Sequence, residues 1–175
     1  ADAHRLPALD LALSEGDPFT FAGEEATVYD VSGHTLGHIA VYFPKSGIAF
    51  TADSLMALGC GRLFEGSPAQ MWDSLSKLMR LPPATIICSG HEYTAANARF
   101  ALSIEPGNEN LVARAAKVDD TRKKNHPTVP SKLSEELATN PFLRPHSAEI
   151  RNRLEMENNS DSQVFAEIRR RKDTF

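Results

Sequence analysis

The sequence predicts an α/β fold in two parts: a strand-rich stretch, residues 1–94, and a helical stretch, residues 95–175. Three observations predict it. Short alternating runs rich in β-branched residues occupy the first part, one strongly capped helix interrupts them, and after residue 94 apolar residues recur at helical spacing. The 175 residues suffice for a buried core, and 41% hydrophobic with 24% charged residues is ordinary for a globular chain.

Residues 27–31 alternate and carry β-branched side chains, so they are expected to form a strand. Residues 39–43 and 48–51 flank the turn Pro44-Lys45-Ser46-Gly47 and predict a hairpin. Ser67 is a good N-cap, Pro68 suits the first helical position, and Gln70 completes a capping box. Met71, Leu75, Leu78 and Met79 then define one apolar helix face, and Pro82-Pro83 is expected to end that helix. Residues 85–88 read as a short buried strand. Helices are predicted over 95–104, 110–124, 134–138 and 161–172. Leu111, Ala115 and Val118 share a side of the second, and Val164, Phe165 and Ile168 a face of the last. The basic run at residues 169–172 complements the dipole of that last helix, and on charge alone it reads as a solvated helix end.

A net charge of −4 argues against a surface built for nucleic acid, although residues 122–124 and 169–172 are locally basic. No apolar run is long enough to span a bilayer, and the opening residues lack the basic-then-apolar pattern of a secretory leader. Neither nucleic acid nor membrane is an expected partner. Cys60 and Cys88 form no paired motif, so a reducing cytoplasm is the simplest compartment.

Three segments carry residues suited to chemistry. Ser32-Gly33-His34-Thr35-Leu36-Gly37-His38 follows a predicted strand, Thr51-Ala52-Asp53-Ser54 ends another, and Ser89-Gly90-His91-Glu92-Tyr93-Thr94 follows a third. Loops at strand ends are common active-site positions. Two imidazoles and a carboxylate suit Zn²⁺, Fe²⁺ or Mn²⁺, and a carboxylate has two oxygens with which to bridge two ions. Plainer readings stand beside this one. A histidine beside glycine is often a turn or core residue, and Asp53 could cap a turn. His38 is expected to be a buried structural residue, and His4, His126 and His146 structural or solvated.

The wording of the segments is more specific than their spacing. Gly33-His34-Thr35-Leu36-Gly37-His38, Phe50-Thr51-Ala52-Asp53 and Ser89-Gly90-His91-Glu92, in that order, resemble the second half of the metallo-β-lactamase superfamily. Gly59-Cys60-Gly61-Arg62-Leu63-Phe64-Glu65-Gly66, Gly90-His91-Glu92-Tyr93-Thr94, Asn140-Pro141-Phe142-Leu143-Arg144 and Arg169-Arg170-Arg171-Lys172-Asp173 resemble glyoxalase II, the hydroxyacylglutathione hydrolases. The resemblance runs from about residue 20 to residue 175.

It implies the C-terminal half of an αββα sandwich followed by an all-helical substrate-binding domain. It implies two divalent ions, zinc or else iron or manganese, with His34 on one, His91 on the other and Asp53 between them as the catalytic bridge. The implied reaction is hydrolysis of S-D-lactoylglutathione and related glutathione thioesters by metal-activated water, which would serve methylglyoxal detoxification. Arg62, Phe64, Tyr93, Arg169 and Lys172 fall where the family contacts the thiol part, and cations there suit the two carboxylates of glutathione. Arg62 stands where many members have lysine, and Phe64 where many have tyrosine. The loss of that hydroxyl is expected to alter affinity rather than chemistry.

The family's upstream H-x-H-x-D-H motif has no counterpart in residues 1–33, whose only histidine is His4. The sequence also opens without Met. The chain is therefore expected to be part of a longer protein. By itself it should hold metal weakly, leave one sheet face uncovered, and pair with a missing half or with itself. The competing readings are a non-catalytic scaffold, another hydrolase of the same fold, and a single-iron dioxygenase of that fold.

Overall fold

A computed structural model describes residues 4–175; the first three residues of the expected 1–94 unit lie outside it. Strands β1 (Phe19–Phe21), β2 (Glu24–Asp30), β3 (Ile39–Phe43) and β4 (Ile48–Ala52) form an antiparallel meander. A small hairpin, β5 (Leu55–Met56) and β6 (Gly59–Cys60), follows. Helix α1 (Pro68–Leu78) then leads to β7 (Ile86–Ser89), which returns parallel to β4. Helices α2 (Thr94–Ile104) and α3 (Glu109–Lys123) precede β8 (Ser131–Lys132), the far edge of the main sheet. Helices α4 (Leu133–Thr139), α5 (Ala148–Leu154) and α6 (Asp161–Thr174) complete the chain, with a 3₁₀ turn at Pro141–Leu143.

The Ser67 capping box forms in both directions, satisfying donors at the exposed end of α1. The apolar face of α1 is buried as predicted, with Met71, Leu75 and Leu78 fully enclosed. The helix ends at Leu78, earlier than Pro82-Pro83 suggests. Pro82 has no N–H, and its ring would collide with the Leu78 carbonyl in a continued helix. The chain tightens instead, with the N–H groups of Arg80 and Leu81 donating to the carbonyls of Lys77 and Leu78.

The main core runs from Tyr42 on the sheet and Val31 just past β2, through α1, to Phe142, Phe165 and Ile168. It therefore joins sheet and helices into one packed body, and β8 places two residues of the helical part in the sheet itself. The opposite face of the meander is different. Ala40, Tyr42, Ala49 and Thr51 point into the core, whereas Phe50 is 52% exposed and Val41, Phe43 and Ile48 are only partly covered. Val41 pairs with Phe50, whose ring meets Phe43 at 6.0 Å. Period-2 alternation places these apolar side chains on one surface.

Candidate metal and thioester site

Neighbouring strands bring the three candidate ligands together. β4 and β7 lie side by side and parallel, and the register Ala52↔Ser89 aligns their C-terminal ends. Ala52 adopts a left-handed φ of 44°, and the register shifts there, so the chain turns sharply into Asp53. The Gly90 N–H donates to the Ala52 carbonyl at 2.9 Å, which locks the two loops together. A Cβ at position 90 would stand 2.8 Å from Asp53 Oδ1 and push the carboxylate aside, so glycine there leaves Asp53 in place. The loop after β2 supplies His34, and Ser54 Oγ donates to the Val31 carbonyl at 3.1 Å, tying that loop to the Asp53 turn.

His34 Nε2 lies 3.4 Å from Asp53 Oδ2, and His91 Nε2 lies 3.3 Å from Asp53 Oδ1. Each histidine thus faces a different carboxylate oxygen. Oδ1 is buried and has no hydrogen-bond partner among the described residues. An unpartnered buried carboxylate oxygen is costly unless a cation completes it. Two ligands of one tetrahedral ion, each about 2.0–2.2 Å from it, lie about 3.4 Å apart. The spacings, the orphaned oxygen and the donor types therefore fit two divalent ions sharing Asp53. Among the described residues no three such side chains converge on one point; each ion would have one imidazole and one carboxylate oxygen.

Surrounding groups hold these side chains in place. His34 Nδ1 lies 2.6 Å from the Arg62 carbonyl, which fixes the proton on Nδ1 and leaves Nε2 as a free lone pair. His38 Nε2 accepts from the Asp53 N–H at 3.3 Å, and its Nδ1 meets Thr35 Oγ1 at 3.1 Å. Burial, with His34 nearby, holds the His38 pKa below its usual value, consistent with a neutral supporting role. Glu92 accepts from the Thr128 N–H and hydroxyl, anchoring the loop next to His91.

All the residues expected at the site line one cavity of about 320 Å³. His34, Asp53 and His91 form one end. Tyr93 stacks on His91 at 4.8 Å, and the exposed Phe64 ring lies 5.0 Å from His34. Arg62 is exposed and approaches Asp173 at 3.5 Å. Lys172 is half-buried between the rings of Phe100 and Phe175, and burial pushes its pKa down. Arg169 is no solvated helix end. It is buried, donating to the Cys60 carbonyl at 3.0 Å and to Asp173 at 3.0 Å. Cys60 lies in the same wall, and burial raises its thiol to about 11, so it is protonated at neutral pH. Met56 and Asn97 also line the cavity. Sequence reasoning missed both, although Asn97 stands one turn after Tyr93 at the start of α2.

Glu65 braces the His34 loop from outside. It accepts from Arg5 at 2.6 and 2.8 Å and from the Leu36 N–H at 2.7 Å. The Arg5 hydrogen bonds, then the Leu36 N–H, hold its carboxyl down to about 2 from an ordinary 4.5. A depressed carboxyl pKa means that the clamp is complete above pH 4.5 and is lost as pH falls toward 2. Carbon-detected NMR titration of Glu65 is expected to give a midpoint near 2, rising toward the ordinary value in Arg5→Ala. An ordinary midpoint in the parent protein would contradict the clamp.

Residues 5–91 match the family described as the metallo-beta-lactamase superfamily, and residues 92–175 match the hydroxyacylglutathione hydrolase C-terminus. The crystal structure of ETHE1 from Myxococcus xanthus aligns with a TM-score of 0.56 at 20% identity, over 96% of this chain and 62% of that one. Sheet, strand-end site and these matches define a member of the metallo-β-lactamase superfamily. A hydroxyacylglutathione hydrolase of Cereibacter sphaeroides is 60% identical over all of this chain and 69% of its own length. One from Roseobacter denitrificans is 62% identical over 99% of this chain and 68% of its own. The chain belongs to the hydroxyacylglutathione hydrolase family, glyoxalase II.

Proposed function

We propose that this chain hydrolyses thioesters of glutathione with 2-hydroxy acids, S-D-lactoylglutathione in particular, releasing the acid and glutathione. The observation that carries the reading is that Asp53 presents separate oxygens to His34 and His91 in a cavity shared with Arg62, Tyr93 and Lys172. His34, His91 and Asp53 would hold two divalent ions, zinc or else iron or manganese. When bound, such ions acidify water and polarise a carbonyl. The chain's own groups do the rest. The Arg62 carbonyl keeps the His34 lone pair directed at the site, and the His38 ring fixes the Asp53 backbone. Arg62 and Lys172 supply positive charge for the glutathione carboxylates, with Arg169, Tyr93 and Phe64 shaping the wall beside them. In this reading residues 1–94 carry the metal ligands and residues 95–175 much of the thiol pocket. A cytoplasmic setting, where glutathione is abundant, fits the two free cysteines; among the described residues no helix is long and apolar enough to cross a membrane.

The test is turnover of S-D-lactoylglutathione by the protein in excess divalent metal, with a β-lactam as the comparison substrate. Thioester turnover without lactam turnover is expected. A well-folded protein that takes up no metal even in excess and turns over neither would favour a non-catalytic scaffold.

With one imidazole and a shared carboxylate for each ion, the described residues offer fewer anchors than a closed site. A polypeptide of these residues alone is therefore expected to bind metal weakly. Its apolar sheet face is expected to drive pairing, with a complementary half or with a second copy. Phe50→Lys places a charge at the centre of that face and should lower self-association, read by sedimentation velocity. Unchanged association would point to another surface.

A further inference from the structure

The run Asn140-Pro141-Phe142-Leu143-Arg144 is absent from the cavity wall, yet its first residue reaches the hairpin that forms that wall. The β5–β6 hairpin contributes Met56 and Cys60 to the cavity and leads directly into Gly61 and Arg62. Its strands are two residues long, and Leu58 in its turn has a left-handed φ of 56°. So short a hairpin has little stability of its own, and a non-glycine residue at positive φ adds strain.

The structure holds the hairpin from behind. The Leu58 N–H donates to Glu136 Oε2 at 2.8 Å. Asn140 Nδ2 is shared between the carbonyls of Met56 at 3.2 Å and Gly59 at 3.0 Å, with Glu136 Oε2 at 3.1 Å. Leu58, Glu136 and Asn140 are fully enclosed. The Glu136 charge is met by Arg114, also buried, whose other nitrogen donates to Thr139 Oγ1 at 2.7 Å. A buried ionic group with every oxygen engaged is rigid, because any shift leaves a charge or a backbone group unpaired.

We propose that Glu136 and Asn140, braced by Arg114, are positioning residues that set the wall of the thiol pocket and hence affinity for the glutathione part of the substrate. Neither touches the cavity; they act through Met56, Leu58 and Gly59. The inference rests on reading the cavity as a thiol pocket. Asp53 and His91 stand just past the ends of β4 and β7, in loops tied to each other by the Gly90 N–H on the Ala52 carbonyl and to the His34 loop by Ser54. Displacement of the hairpin wall therefore weakens binding more than it slows chemistry.

The experiment compares metal-loaded parent protein with Asn140→Ala and Glu136→Gln. S-methylglutathione, which cannot be hydrolysed, is titrated by calorimetry, and S-D-lactoylglutathione turnover is measured in parallel. Kd and KM are expected to rise about tenfold, with kcat within about threefold and metal content unchanged. Amide exchange at Leu58 should accelerate while that at Ile87 in β7 stays slow. A third variant, Glu136→Gln with Arg114→Leu, leaves no lone buried charge and keeps an acceptor for the Leu58 N–H. It guards against loss of folding in the others, and it should bind S-methylglutathione within about threefold of the parent.

Faster Leu58 exchange with unchanged Kd would overturn the proposal, as would a fall in kcat and metal content at constant KM. So would a tenfold loss of affinity in the third variant. Parent protein that binds S-methylglutathione without hydrolysing lactoylglutathione would sink the hydrolase reading and leave the binding arm to decide this one. Parent protein that binds no S-methylglutathione would overturn this one too.

Discussion

Asp53→Ala is expected to reduce thioester turnover by about 10³-fold or more and to strip bound metal from the protein. The carboxylate faces both histidines, with Oδ2 toward His34 and Oδ1 toward His91. Its removal leaves each ion a single imidazole among the described residues, too few to compete with water. The fold should survive. Asp53 stands in a turn that is also held by Ser54, Thr51 and the Gly90 N–H, and Oδ1 makes no hydrogen bond whose loss would be felt. Loss of metal without loss of thermal stability in the metal-free state is therefore the signature, read by elemental analysis beside a melting curve. Asp53→Asn should fall between. It keeps one oxygen, but its NH₂ group cannot coordinate, so one ion should be weakened far more than the other. Full metal retention by Asp53→Ala would remove the basis of the assignment.

Arg169→Ala is expected to damage stability and binding together. Arg169 is 5% exposed, and its guanidinium donates to the Cys60 carbonyl and to Asp173 and lies 5.1 Å over the Phe142 ring. It thus ties the last helix to the hairpin that walls the cavity. Truncation leaves a buried carbonyl unpaired and opens a hole beside Phe142, at a cost of about 3 kcal/mol. For a chain of this size that corresponds to roughly 6–12 °C in Tm. Asp173 loses its nearest cation and is left with the exposed Arg62 at 3.5 Å, so the charge balance of the thiol pocket changes as well. KM for a glutathione thioester should rise at least about tenfold. Arg169→Lys should recover little, because a single ammonium cannot span both the Cys60 carbonyl and Asp173. A melting temperature within a degree or two of the parent would show that the contact contributes little.

Much of this was legible in the sequence, and for definable reasons. The Ser67 capping box, the apolar stripe of α1 and the hairpin around Pro44-Lys45-Ser46-Gly47 are local patterns, set by residues a few positions apart, and each forms. Helix α5 was missed because at seven residues it carries too short a periodic signal. Strand β8 has two residues and exists only because β7 offers an open edge beside it. The early end of α1 follows from the carbonyl that Pro82 forbids, one turn upstream of the proline itself.

The candidate site divides the same way. Sequence by itself determined the residue types, their placement after strands, and the resemblance that singles out His34, Asp53 and His91, because side-chain chemistry and strand periodicity are properties of short segments. Only the tertiary structure decided that one carboxylate oxygen faces each imidazole, that Arg169 is buried rather than solvated, and that Glu136 and Asn140 reach the pocket wall from 78 and 81–84 residues away. Those outcomes depend on which strands lie side by side and on what must be paired once water is excluded, and neither is encoded within any one segment.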